Sequence, residues 1–123
     1  MATKTKDDSS IKATQTKNQK EEEIMPTFSL GGQQYQIIRF TVPPSRKPGV
    51  HYIVESQFAI AVYLVDKEGL DDFEDDRPFA YFSGYKNRRY FDEEIDLPNS
   101  GRWHLIIWNT NNNPTAIHYE LYV

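Results

Sequence analysis

The stretch GRWHLIIWNTNNNPTAIHYELYV, residues 101–123, carries two tryptophans, two histidines and a run of asparagines inside one apolar segment. Its apolar residues alternate. Trp103, Leu105 and Ile107 share one phase of a period of two, and Ile117, Tyr119 and Leu121 share another after the asparagines. That period belongs to strands laid against a core, because successive strand side chains point to opposite faces. Folded about Asn111, the stretch is expected to form a hairpin. Trp103 then opposes Tyr119, Leu105 opposes Ile117 and Ile107 opposes Thr115 on one face. The other face pairs Arg102 with Glu120, His104 with His118 and Ile106 with Ala116, so an opposite-charge pair falls outside. The loop from Asn109 to Asn113 suits the turn, since asparagine tolerates the left-handed region.

The same signature runs upstream. In QQYQIIRFTV, residues 33–42, Tyr35 and Ile37 keep one phase, and Ile38, Phe40 and Val42 take the other. A slip of one residue at Ile37-Ile38 predicts a β-bulge. Pro43-Pro44 ends the strand because neither proline has an N–H to donate. VHYIVES and FAIAVYLVD, residues 50–56 and 58–66, read as two strands joined at Ser56-Gln57. The second alternates Phe58, Ile60, Val62 and Leu64 with Ala59, Ala61, Tyr63 and Val65, which implies cover on both faces. KEGLDDFEDD, residues 67–76, is too polar for a strand and is expected as a helical turn or exposed loop. Residues 79–82, YKNRRY at 85–90 and EEIDL at 93–97 supply further short strands, and LPNSG at 97–101 is a turn. The expected fold is all-β: a single antiparallel β-sandwich of about seven or eight short strands.

Composition separates a leader from this domain. Residues 1–26 hold no aromatic, five lysines, five acids and much Thr, Ser and Gln, and bury too little apolar area to offset chain entropy. They are expected to be a disordered N-terminal leader, with the sandwich spanning 27–123. All seventeen aromatics fall in the domain, whose nine basic and thirteen acidic residues carry the net charge of -4. That balance offers no broad basic surface for nucleic acid. The absence of cysteine removes disulfides, thiolate metal sites and a cysteine nucleophile, and agrees with a cytoplasmic setting. No apolar run reaches bilayer length. Asn113-Pro114-Thr115 fails as a glycosylation acceptor because proline occupies its middle position.

Each candidate for chemistry stands beside a plainer reading. His104 and His118, as neighbours in the proposed hairpin, would offer two imidazoles to Zn²⁺, though a site needs further ligands. The acidic run containing Asp66, Glu68, Asp71 and Asp72 could attract Ca²⁺, but Leu70 breaks the EF-hand spacing, and a solvated loop is the plainer account. Tyr85, Arg88 and Arg89 interleave cations with aromatics, as single-stranded nucleic acid requires. Asp92, Glu93 and Glu94 follow at once and would repel phosphate, so a salt-bridged strand facing the acidic loop is favoured. Trp108 beside Asn109 and Asn111 could stack on a sugar ring, or simply shield the hairpin end. No nucleophile elbow or phosphate-binding glycine loop is present, and an enzyme is not expected.

The order VYLVDKEGLDDF, FAYFSGY, IDLPNSGRWHLIIWN resembles small bacterial domains of unknown function found beside TIR domains. It is also similar to pre-peptidase C-terminal and GOLD-type sandwiches, whose last strands carry Gly-x-aromatic-x-Leu and a closing Tyr-x-Leu. Here those positions are Gly101, Trp103, Leu105, Tyr119 and Leu121. The resemblance spans residues 58–123, rests on core and turn positions, and implies a β-sandwich with an accessory or interaction role and no catalytic residue. The expected function is a non-enzymatic module that binds a protein partner or self-associates, with exposed edge strands as the contact. The alternative is a carbohydrate- or Ca²⁺-binding sandwich, and the third reading is a structural subunit of a larger assembly. No cofactor other than Ca²⁺ is in view.

Overall fold

Seven strands and one helix follow one another in the computed structural model, which describes residues 5–7 and 27–123. They are β1 (Thr5–Asp7), β2 (Thr27–Leu30), β3 (Gln34–Val42), β4 (Gly49–Val65), α1 (Lys67–Glu74), β5 (Ser83–Asp96), β6 (Gly101–Trp108) and β7 (Thr115–Tyr122). Of the leader, Thr5–Asp7 lies parallel to β3, and the remainder lies outside the described residues.

The architecture is a β-sandwich made by bending one sheet. β4 and β5 are long enough to serve both leaves. The second half of β4, from Ala61 to Val65, pairs with β6, which pairs in turn with β3. The first half, His51 to Ser56, pairs with β7, which pairs with β2. β5 runs antiparallel to β4 along the other side of both halves. The first leaf is therefore β1-β3-β6-β4-β5, and the second is β2-β7-β4-β5.

The bend falls where the pairing of β4 with β5 shifts register, between Glu55 and Ile60 and again before Val62. Side chains supply partners to backbone groups freed there from the ladder. Ser56 Oγ donates to the Phe58 carbonyl at 2.6 Å, and the Phe58 amide donates to Thr115 Oγ1 at 3.0 Å. Asn111 Nδ2 donates to the Ala59 carbonyl at 2.6 Å. Across from the bend, Asn87 adopts a left-handed φ of 62° and turns β5 with it. Thus 50–56 and 58–66 are one strand, not two, and YKNRRY and EEIDL are likewise one.

Both leaves turn the same phase inward. Ile38, Phe40 and Val42 of β3 meet Val50, Tyr52 and Val54, Ile60, Val62 and Leu64, Trp103, Leu105 and Ile107, and Ile117, Tyr119 and Leu121. Removing any such side chain from water is worth about 1.5–3 kcal/mol. Trp103 is the expected core anchor, but its cross-strand neighbour is Phe40, and its Nε1 donates to the Asn99 carbonyl at 3.1 Å.

A second cluster lies on the outside of the first leaf. Leu70 and Phe73 of α1 cover Tyr35, Ile37, Val65 and Ile106, with Tyr63, Phe79 and Trp108 at the margins. Asp66 caps the helix by accepting from the Gly69 amide at 2.9 Å. This cover explains Ile37-Ile38. The pairing of β3 with β6 runs from Tyr35–Trp108 to Val42–Gly101 without a shift, so there is no bulge. Both isoleucines are buried because both faces of β3 are covered. Residues 79–82 form no strand: Phe79 packs edge-on against Tyr63 at 5.0 Å, and Phe82 packs edge-on against Trp103 at 4.8 Å.

The closing hairpin does not form. β6 lies in the first leaf and β7 in the second, with β4 beside each, and residues 109–114 cross between leaves. Asn109, fully buried, fixes this crossing. Its Nδ2 lies 3.2, 3.0 and 2.8 Å from the carbonyls of Leu30, Gly31 and Asn113, and its Oδ1 accepts from the Asn111 amide at 2.9 Å. The turn before β3 wraps the same segment: the Gln33 amide donates to the Asn111 carbonyl at 3.0 Å. A Cβ on Gly32 would collide with the Asn112 carbonyl. None of the asparagines at 109–113 has a positive φ, so side-chain hydrogen bonding, not left-handed backbone, is what they contribute.

Candidate functional site

The structure disperses most candidates read from the sequence. His104 and His118 are not neighbours. His104 lies opposite Arg39 and Val65 in the first leaf, buried, whereas His118 lies opposite Thr27 and Glu55 in the second. Burial, then the Arg39 charge, holds the His104 imidazole below its ordinary pKa. The acids of α1 are engaged in local structure: Asp66 caps the helix, Asp71 pairs with Lys67 at 2.9 Å, and Asp72 pairs with Arg77 at 2.7 Å. Glu68 is an exposed acid in the first turn. Among the described residues, no three His, Asp or Glu side chains are gathered as ligands for a metal.

Trp108 is half-buried rather than exposed, with its ring edge-on to Phe73 at 5.5 Å. Asn109 and Asn111 spend their amides on the crossing. Tyr85, Arg88 and Glu93 form a local triad: the Arg88 guanidinium sits 4.0 Å above the Tyr85 ring and 3.5 Å from Glu93, and the Tyr85 hydroxyl donates to Glu93 at 3.3 Å. Arg88 is thus neutralised by its own strand rather than by the acidic helix. Arg89 is exposed.

What the fold assembles instead is the outside of the second leaf. Because Val50, Tyr52 and Val54 point inward, His51, Ile53 and Glu55 point outward. Their neighbours on β5 are Glu94, Asp92 and Tyr90, and on β7 Tyr122, Glu120 and His118. Three rows result: Glu94–His51–Tyr122, Asp92–Ile53–Glu120 and Tyr90–Glu55–His118. No helix covers this face among the described residues, and Tyr90 and Tyr122 are 52% and 51% exposed.

The face is tied together by polar contacts. His51 Nε2 lies 2.7 Å from Asp92 Oδ1, and since a carboxylate only accepts, that nitrogen carries the proton. His51 also stacks at a tilt on Tyr122, centroids 5.6 Å apart. The Tyr122 hydroxyl donates to Glu120, the Tyr90 hydroxyl donates to Asp92 at 3.4 Å, and His118 Nε2 lies 3.9 Å from Glu120. Hydrogen bonding to Glu120 raises the Tyr122 pKa, and desolvation followed by the charge of Asp92 raises that of Tyr90. Glu55 and Glu120 contribute to the Tyr90 shift, as expected for acids on one surface. One end of the face opens into a groove of about 580 Å³, lined by Lys47, Val50, His51, Glu94, Asp96 and Tyr122 among others.

None of these residues except His118 stands out as a candidate in the sequence. The signal was present in the outward phase of HYIVE, YFDEE and HYELY, but only pairing shows that the three segments lie side by side.

No family model matches the chain, and no curated protein does. Solved structures resemble it to differing degrees. The pre-peptidase C-terminal domain of a Bacillus anthracis collagenase superposes with a TM-score of 0.59 at 13% identity, covering 85% of this chain and 100% of that one. A periplasmic inhibitor of g-type lysozyme from Aeromonas hydrophila gives 0.49 at 12% identity, covering 80% and 85%. A family 29 carbohydrate-binding module complexed with cellulohexaose gives 0.34 at 9% identity, covering 79% and 80%. The first agrees with the resemblance to pre-peptidase C-terminal sandwiches read from the sequence, and at that identity it speaks to fold alone.

Proposed function

We propose that this chain is a non-enzymatic β-sandwich module that binds a protein partner through the open face of its second leaf. The observation that carries this reading is an asymmetry. α1 and its aromatics cover the outside of the first leaf, where the exposed Tyr81 packs on Tyr63 and Phe79, while the second has no such cover and presents two half-exposed tyrosines among carboxylates. Tyrosine is enriched where proteins meet, because its ring offers apolar area and its hydroxyl a hydrogen bond. The face is a better contact than the β5 edge. β5, an edge over its whole length, carries Lys86, Arg88, Arg89, Asp92, Glu93, Glu94 and Asp96, and charge at a sheet edge discourages strand addition. The carbohydrate reading loses support because Trp108 packs under α1 and Asn109 is buried.

The test is selection of a random-peptide display library against the full chain and against its Tyr90→Ser/Tyr122→Ser variant. Peptides that bind the parent and not the variant are expected. Selection that yields the same peptides for both contradicts the reading.

A further inference from the structure

The outer face of the second leaf has a definite chemistry. Glu55, Asp92, Glu94 and Glu120 are four carboxylates spread over three adjacent strands, and the two exposed tyrosines stand at opposite corners of the same array. Asp96 continues the acid series into the groove. Against these stand two histidines that already contact acids, His51 to Asp92 and His118 to Glu120, and Lys47 in the groove's lining. An anionic partner would meet like charge over nearly the whole surface.

Resting on the reading of this face as the binding surface, we propose that its occupant is an arginine-bearing segment of a partner protein. Arginine satisfies both elements of the face at once. Its planar guanidinium forks onto a carboxylate through two parallel hydrogen bonds and lies flat on a phenol ring. Lysine offers a point charge that does the first poorly and carries a tightly held hydration shell. The protein shows the same pairing internally, where the Arg88 guanidinium sits over Tyr85 and reaches Glu93. On the outer face Tyr90 lies beside Asp92 and Tyr122 beside Glu120, each phenol already bonded to its acid, so the ring and carboxylate are presented together. The segment's cations fall over Asp92, Glu94 and Glu120, where Lys47 of the groove lining does not compete for the acids.

The array is roughly 10 Å across three strands and about 13 Å along them, so six residues, about 20 Å when extended, span it. The experiment titrates the full chain with capped hexa-arginine, hexa-lysine and hexa-glutamate, following backbone amide shifts at low and at physiological salt. Hexa-arginine is expected to bind about tenfold tighter than hexa-lysine, to weaken with salt, and to move the amides of the open face. Hexa-glutamate is expected not to bind. Asp92→Asn with Glu120→Gln, amides that keep an oxygen to accept from His51, Tyr90 and Tyr122, should weaken hexa-arginine about tenfold or more with the thermal midpoint retained. Hexa-arginine binding no tighter than hexa-lysine, or unmoved by that double substitution, overturns the proposal. The display selection separates this failure from that of the broader reading. Tyrosine-dependent peptides without arginine leave the binding face standing and overturn the arginine assignment. The absence of any tyrosine-dependent peptide overturns both.

Discussion

The Asn109 amide spans the two leaves, donating at 3.2 Å to the carbonyl of Leu30, the last residue of β2. Asn109 follows directly on β6 in the first leaf, whereas β2 belongs to the second. One side chain thus locks the crossing that replaces a hairpin. Asn109→Ala takes that donor from the buried Leu30 carbonyl, leaves the Gly31 carbonyl with the Gln34 amide alone at 3.1 Å, and frees the Asn111 amide. The cost is expected at about 2–4 kcal/mol, read as a fall in the urea midpoint. Asn113→Ala, exposed and contributing its carbonyl rather than its side chain, should change stability by less than about 0.5 kcal/mol.

That contrast also marks how far the sequence could be read. A period of two states which face a residue occupies and says nothing of its neighbour. Trp103, Leu105, Ile107, Ile117, Tyr119 and Leu121 were correctly placed inward for that reason. Their partners were not, because β4 supplies a neighbour to both β6 and β7, and its continuity through Ser56–Ala59 depends on side-chain bonds from Thr115 and Asn111 far along the chain. Ile37-Ile38 misled in the same way: burial on both faces and a bulge give identical local patterns. The open face was illegible because its members come from three segments whose adjacency is a matter of topology alone.

Acid should destabilise the fold through His104. Its folded-state pKa lies below the ordinary 6.5, so as pH falls the unfolded chain takes up the proton first. The stability due to neutral burial is complete above that value and is lost as pH drops through it, levelling below the depressed folded value. The slope from this one group is at most about 1.4 kcal/mol per pH unit. Urea midpoints measured from pH 8 to pH 5 should show the decline in the parent, and His104→Gln should flatten it.

Alkali acts on two core phenols. Burial raises Tyr52 and Tyr119 from 10.0 to about 12. Stability from keeping them neutral is present below 10 and lost as pH rises toward 12, by order-of-magnitude reckoning about 2–3 kcal/mol each. The two differ in bonding. The Tyr52 hydroxyl shares a 2.8 Å hydrogen bond with Ser83, while that of Tyr119 has no partner among the described residues. Tyr119→Phe is therefore expected to stabilise the protein at neutral pH by up to about 1–2 kcal/mol, and Tyr52→Phe to cost about 1 kcal/mol. Denaturant curves at pH 7 and pH 10.5 check both the sign and the contrast.

Asn87 offers a backbone test of the shared bend. At a φ of 62° it occupies a region open to glycine and strained for β-branched residues. Asn87→Gly should hold or raise the thermal midpoint. Asn87→Val should lower stability by about 1–2 kcal/mol, and, because β4 and β5 bend together there, should also speed amide exchange at Glu55 and Ile60.

The claim that joins fold to function is that the uncovered leaf, and not the helix-covered one, meets the partner. Amide shift mapping during titration with hexa-arginine tests it directly. Changes are expected at residues 51–55, 90–94 and 118–122 alone, with those under α1, at 35–37 and 104–108, unmoved. Changes centred on α1 and residues 104–108, or none on the second leaf at saturating peptide, would contradict it.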